Sequence, residues 1–266
     1  MKWPASLTVM RHAESVYNIL KAKKAEDPQY QEFKKEFEKH PYSEKTRALA
    51  VLVGEKYALK MSDYDTPLSA TGRNQAETTG YKMRRGTEHS FVKPDVVLVS
   101  PYVRTRETLE LVQSGGFNLG DTPVVHEDRI REQEHGLSLL HSDWRVFHAL
   151  NPDQKRLRDT MGPYWYQYPQ GESVSMVRDR IRDVLSMIIR EYAGQHVLMV
   201  THHLTILSLR ANLERLSPEE FIRLDNHEKP VNCGITIYRG EPKLGKNGKL
   251  VLESYNTCLW DQPKAA

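Results

Sequence analysis

Cysteine is nearly absent from this chain: Cys233 and Cys258 are the only two in 266 residues, and no Cys-x-x-Cys pair occurs. That argues against a structural zinc site built on thiolates and suits a reducing compartment. Long apolar runs are missing too, since no stretch approaches the roughly 18 residues that a membrane helix needs. The first apolar segment is broken at Arg11, which leaves no room for the apolar core of a signal peptide. Neither charge sign dominates: the formal net charge is +3, so nothing calls for a nucleic acid or a membrane surface as partner. A cytoplasmic protein with neither partner is the expectation.

Several reaction signatures are missing as well. There is no Gly-x-Ser-x-Gly elbow for a serine hydrolase. The histidines show no His-Glu-x-x-His spacing, so a metal is not expected. Gly240 to Asn247 nearly spells a P-loop, but Asn247 stands where Ser or Thr should bind magnesium, and strand character follows it. A hairpin turn explains it better.

What is present is an alternation of buried-strand and helix patterns. Leu7 to Met10, Pro94 to Ser100 and Gln195 to Thr201 are continuous apolar runs, the mark of parallel strands covered on both faces. Helical periodicity follows each: Ser69 reads as the N-cap of a helix to Arg85, Ser100-Pro101 as the start of another, and Leu204 to Leu213 as a third. The segment from Val174 to Tyr192 repeats apolar residues at steps of three and four. Gly234 to Tyr238 and Lys249 to Tyr255 read as two closing strands. This order predicts a three-layer α/β fold, a mainly parallel central sheet with helices on both faces. With no internal repeat and no convincing linker, a single domain over 1–266 is expected. It carries a helical insertion at about 19–64 and a cap-like insertion, rich in Trp, His and Tyr, at about 137–170.

Three of the strands end in chemistry. The first delivers Arg11 and His12, the second Ser100 followed by Arg104, the third His202 and His203. Strand ends in such sheets converge on a ligand crevice. Two guanidinium groups, two imidazoles and the Asn18 amide make a dense array of donors, which suits a tetrahedral dianion. A glutamate at the same rim would supply the acid for a departing alkoxide.

Arg11-His12-Ala13-Glu14-Ser15 with Asn18, Leu68-Ser69 through Gly72 to Gln75-Ala76, Ser100-Pro101 to Arg104 with Thr108, Ile130-Arg131-Glu132 with Gly136, Gly171-Glu172-Ser173 and Thr201-His202 occur in that order. Together they resemble the histidine phosphatase superfamily, whose members include phosphoglycerate mutases and many phosphomonoesterases. The resemblance implies a phosphoglycerate mutase-like fold and a phosphohistidine mechanism without cofactor. His12 is then the nucleophile, Arg11, Asn18, Arg104 and His202 hold the phosphoryl oxygens, and Glu132 is the acid. His203 stands where many members have Gly and becomes a candidate substrate contact. Ala13 replaces the usual Gly, and Glu134 competes with Glu132 for the acid role. Tyr17 and the block Glu132 to Gly136 depart from the mutase pattern, and the insertion after Asn18 is longer than a mutase carries. The expectation is therefore a metal-independent phosphoric monoester hydrolase acting on a small phosphorylated metabolite. Mutase-type phosphotransfer is the alternative, and an inactive phospho-ligand binding protein is the third reading.

Overall fold

In the computed structural model of the chain, residues 2–58, 60–85 and 91–260 are described. In chain order the elements are β1 (Ser6–Arg11), α1 (Val16–Glu26), α2 (Pro28–Lys39), α3 (Glu44–Lys56), α4 (Ala70–Arg85), β2 (Val96–Val99), α5 (Val103–Ser114) and β3 (Val124–His126). There follow α6 (Trp144–Leu150), α7 (Pro152–Met161), α8 (Val174–Glu191), β4 (His196–Thr201), α9 (His203–Leu213), α10 (Pro218–His227), β5 (Ile235–Glu241) and β6 (Lys249–Thr257). They gather into two compact units. The first comprises residues up to 15, 67–132 and from 178 onward; the second comprises 16–66 and 133–177.

The first unit is built on one six-stranded sheet of order β3-β2-β4-β1-β5-β6. β3, β2, β4 and β1 run parallel, and β5 and β6 close the sheet antiparallel. Every residue of β2 is buried, and so are five of the six in β4, which is why these segments read as unbroken apolar runs. Their side chains pack with Met10, Ala76, Leu109, Val112 and Ile235 into one core. β4 lies between β1 and β2 although it is last of the three in sequence, so the chain reverses its direction of travel beside β1. Such a switch point opens a crevice at the carboxyl ends of the strands.

Local signals fix the helix starts. The Ser69 hydroxyl accepts the Gly72 amide at the head of α4, and the Ser173 hydroxyl accepts the Met176 amide at the head of α8. Ser217 and Glu220 form a reciprocal capping box on α10, a helix that the apolar periodicity did not announce. The Ser-Pro-Glu-Glu run at 217–220 is its signature. One expected cap is absent: α5 begins at Val103 behind Tyr102, not at Ser100, because the Ser100 hydroxyl is bonded to His202 Nε2 at 2.8 Å. Among the described residues no helix is long and apolar enough to cross a membrane.

The second unit holds both expected insertions. Tyr30, Phe33 and Phe37 form the apolar stripe of α2 and pack with Ala50, Val53, Val146 and Ala149. Lys24 is not a surface or substrate-facing lysine. Its side chain is 5% exposed and lies 2.6 Å from Asp143, which also accepts the Tyr30 hydroxyl. The 137–170 segment is more helical than its composition suggests, and α6 packs with Tyr166 and Tyr168, which follow α7, in a tight aromatic cluster. There His148 is completely buried among Trp144, Phe147, Tyr166 and Tyr168, with ring centroids 5.2 to 6.2 Å away. Neither of its nitrogens has a hydrogen-bond partner among the described residues.

Burial lowers the His148 pKa to about 4, and Arg158 and Lys155 push the same way against Asp159. The folded form thus holds the ring neutral, whereas the unfolded chain protonates it near its ordinary value. The associated stability is fully present above about pH 6.5 and drains as the pH falls toward 4, a loss of about 3 kcal/mol. Urea unfolding followed from pH 7 to pH 4 is expected to show that decline. His148→Phe should flatten it, and an unchanged slope would refute the assignment.

Candidate active site

The site grows from the sheet register. Arg11 pairs with Thr201, and Met10 and Val99 both pair with Val200. Ser100 therefore stands level with Arg11 and Thr201, and His12 and His202 both emerge one residue further along. The His12 amide donates to the Thr201 carbonyl at 2.9 Å, which locks the two ends together. The imidazole centroids of His12 and His202 are 5.2 Å apart, edge to face.

His12 is 4% exposed, and its Nδ1 lies 2.7 Å from the Ala13 carbonyl. A carbonyl oxygen only accepts, so Nδ1 carries the proton and Nε2 carries the lone pair. Burial drives the His12 pKa well below the ordinary imidazole value, with Arg104 and Arg11 adding to the fall. The ring is neutral at neutral pH. His202 is fully buried and its pKa is depressed by burial first, then by Arg104 and His12. Its ring meets Tyr102 at 5.0 Å, and the Arg104 guanidinium sits 4.7 Å from the centre of the same tyrosine. Tyr102 was not foreseen as a site residue; it orders an arginine and a histidine through its two faces and edges.

The backbone around His12 is held from several sides. The Ala13 amide donates to the Thr108 hydroxyl, which in turn donates to the Arg104 carbonyl. The Glu14 amide donates to Gln75, and the Ser69 hydroxyl donates to the Glu14 carboxylate at 2.6 Å. Asn232 and the Cys233 amide both donate to the His12 carbonyl. The Leu68 to Ala76 block is thus the scaffold of the nucleophile loop, and its residues bond the loop directly.

Arg11 sends Nη1 to the Pro230 carbonyl at 2.7 Å. Its Nε and the Nδ1 of His202 are buried with no hydrogen-bond partner among the described residues. Burial lowers the Arg11 pKa to about 10, with Glu132 opposing the fall and Arg104 adding to it. Even so the guanidinium stays charged at neutral pH. Arg104, in the first turn of α5, is 4% exposed.

Glu132 accepts the Leu204 amide of the first turn of α9 at 3.2 Å, so the acid segment docks against the helix that leaves His202. Its competitor Glu134 belongs to the second unit, where its backbone bonds Glu172 in both directions. Glu132 belongs to the first unit, as does His12, and interacts electrostatically with Arg11. His203 opens α9, and its Nε2 is 2.9 Å from Asp225 on α10. Asp225 was missed because α10 was missed. Asn18 lies on α1 in the second unit, and its place at the phosphate rests on the resemblance. Among the described residues no group of three or more His, Cys, Asp or Glu side chains gathers to hold a metal ion.

The carboxyl edge of the sheet thus brings the half-buried Arg11 and the buried Arg104 together with two buried, neutral histidines. The chain belongs to the histidine phosphatase superfamily, branch 1, whose sequence profile matches residues 55–249. The match begins after the His12 segment, which α1, α2 and most of α3 separate from residue 55. A phosphoglycerate mutase-like protein of Arabidopsis thaliana, AT74H, is 31% identical over 203 residues, or 70% of this chain and 67% of that protein. Among solved structures, a putative alpha-ribazole-5'-P phosphatase from Escherichia coli superposes with a TM-score of 0.65 at 16% identity, covering 96% of this chain and 97% of that one. A mycobacterial glucosyl-3-phosphoglycerate phosphatase, described in complex with inorganic phosphate, gives 0.61 at 18% identity, covering 96% and 98%. At those identities the two structures speak for the fold, which is that of the phosphoglycerate mutase-like α/β proteins.

Proposed function

We propose that this chain is a metal-independent phosphomonoesterase that works through a phosphohistidine on His12, with a small phosphorylated metabolite as substrate. The observation that carries the reading is the His12 tautomer: a buried, neutral imidazole with its Nε2 lone pair available, beside the buried Arg104 and the half-buried Arg11. Nε2 attacks phosphorus, the P–O bond breaks, and its electron pair goes to the leaving oxygen, which takes the proton of Glu132. Glu132 then removes a proton from water, water attacks the same phosphorus, and the N–P bond breaks to return His12 and inorganic phosphate. Arg11, Arg104, Asn18 and His202 hold the phosphoryl oxygens throughout. The unpartnered buried donor at Arg11 Nε supports this, since a buried donor left unmade is costly and an anion satisfies it. His202 is neutral in the free site, and a bound dianion would raise its pKa and make it a charged donor.

His203 is proposed as a contact to the rest of the substrate, held by Asp225. The two insertions are proposed as parts of the same functional domain. Phosphotransfer of the mutase type is the second reading, favoured by the description of the Arabidopsis relative as phosphoglycerate mutase-like. Phosphate release from a panel of phosphomonoesters, with EDTA present, separates them. Turnover that resists EDTA, with a phosphoenzyme stable to base and labile to acid, is the expected result. Isomerisation of a phosphoglycerate without net phosphate release would replace the hydrolase by the mutase.

A further inference from the structure

Arg180, on α8, reaches the acid segment with both ends of its guanidinium. Nη1 donates to the carbonyls of Arg129 at 2.6 Å and Arg131 at 3.0 Å, and Nη2 donates to the carbonyl of Glu132 at 3.0 Å. Two threonines complete the set: Thr201 donates to the Ile130 carbonyl at 2.5 Å and Thr205 to the Arg131 carbonyl at 2.7 Å. All four carbonyls from 129 to 132 are thus held by side chains, in a stretch where no strand or α-helix holds them. These anchors come from β4, α8 and α9, the elements that also carry or surround His202. The last bond of the set falls on the backbone of Glu132 itself.

We propose that Arg180 is a positioning residue for the proton transfer: its three-point hold on residues 129–132 fixes where the Glu132 carboxyl stands relative to the leaving oxygen. The inference rests on the reading of Glu132 as the acid. A planar fork with fixed donor directions holds the three carbonyls of one bend in a set geometry, whereas the rotatable donors of an ammonium on a flexible stem leave that geometry loose. Without it, the carbonyls of Arg129 and Glu132 lose this anchor, while the Leu204 amide stays on the Glu132 carboxylate and the two threonines stay on the carbonyls of Ile130 and Arg131. A carboxyl displaced by about 1 Å loses roughly a hundredfold in a proton transfer that depends on reach. Arg178, two residues earlier on the same helix and on another face of it, supplies a matched control. It holds the carbonyls of Ala211 and Leu216 and the side chain of Asn212 at the far end of α9, away from the acid.

The test is the dependence of kcat/KM on the leaving group, across aryl phosphates from dinitrophenyl to phenyl. This constant reports transfer to His12 alone, and only the poorer leaving group needs the proton. Arg180→Met should lose about 10- to 100-fold on phenyl phosphate and less than about threefold on dinitrophenyl phosphate. Glu132→Gln should show the same pattern more steeply, and the double variant should be no worse than Glu132→Gln alone. Arg178→Met should lower the melting temperature without changing the ratio between substrates. Arg180→Lys, which keeps charge and loses the fork, carries the same test should the Met variant not fold, with a smaller loss of the same shape. Equal losses on both substrates for Arg180 variants, with Glu132→Gln still selective, would overturn the positioning role and leave the acid in place. Absence of selectivity in Glu132→Gln would instead overturn the acid assignment, and the role of Arg180 with it.

Discussion

His12→Ala lowers kcat for phosphate release by roughly four to six orders of magnitude, the scale on which a covalent nucleophile is lost. The fold should survive the change. Among the described residues the imidazole bonds the carbonyl of the next residue, so its removal leaves no distant group without a partner. The backbone bonds of His12 to Thr201, Asn232 and Cys233 remain, and they hold the strand ends together. A stability cost of about 1–2 kcal/mol is expected from the cavity. Phosphate release and a thermal melt on the same preparation check both parts. A folded variant that retains a rate within about tenfold of the parent would remove His12 from the chemistry.

Gly72→Ala is expected to damage stability and activity together. A Cβ at that position would stand 1.9 Å from the Glu14 carbonyl oxygen, 2.8 Å from its carbon and 3.0 Å from the Glu14 nitrogen. These are backbone atoms, so no side chain can swing away to make room. Either α4 backs off the sheet or the loop from His12 to Ser15 moves. Moving it breaks the Glu14 amide bond to Gln75 and the Ser69 bonds to Glu14. The cost should exceed about 3 kcal/mol, or a fall of about 10 °C in Tm for a chain of this size. The surviving folded fraction should lose roughly a hundredfold in kcat, because the same loop carries the nucleophile. Gly162→Ala makes the comparison: its φ of +82° and ψ of 155° lie where almost only glycine is found, and its Cβ would meet nothing, so only backbone strain of about 1–3 kcal/mol is at issue. Equal melting temperatures for the two variants would refute the packing argument.

The readable parts of this protein were those in which one residue type answers one local demand. Buried parallel strands need unbroken apolar runs, so β1, β2 and β4 were visible, and with them the positions of Arg11, His12 and His202. Gly72 is legible as a motif residue, yet the reason for it is a backbone contact with Glu14 that lies 58 positions earlier in the chain. Ser100 was read by its local propensity as a helix cap; a distant histidine claimed its hydroxyl instead. Lys24 stands in a run of lysines at 21–24 with nothing local to mark it, and a distant partner, Asp143 at the head of α6, accounts for its burial.

The sequence by itself determined the α/β class, through the periodicity of its apolar residues, and the family, through motifs that occur in the family's order, and it named the residues proposed here for the phosphate site. Tertiary structure decided how each is set: which nitrogen of His12 bears the proton, which glutamate shares the first unit with it, and which side chains hold the acid segment in place. Tautomer and aim are consequences of hydrogen bonds between residues far apart in the chain, such as Arg180 with Glu132 and Ser100 with His202. No local pattern encodes those pairings; only the packed sheet and its helices bring the partners within bonding distance.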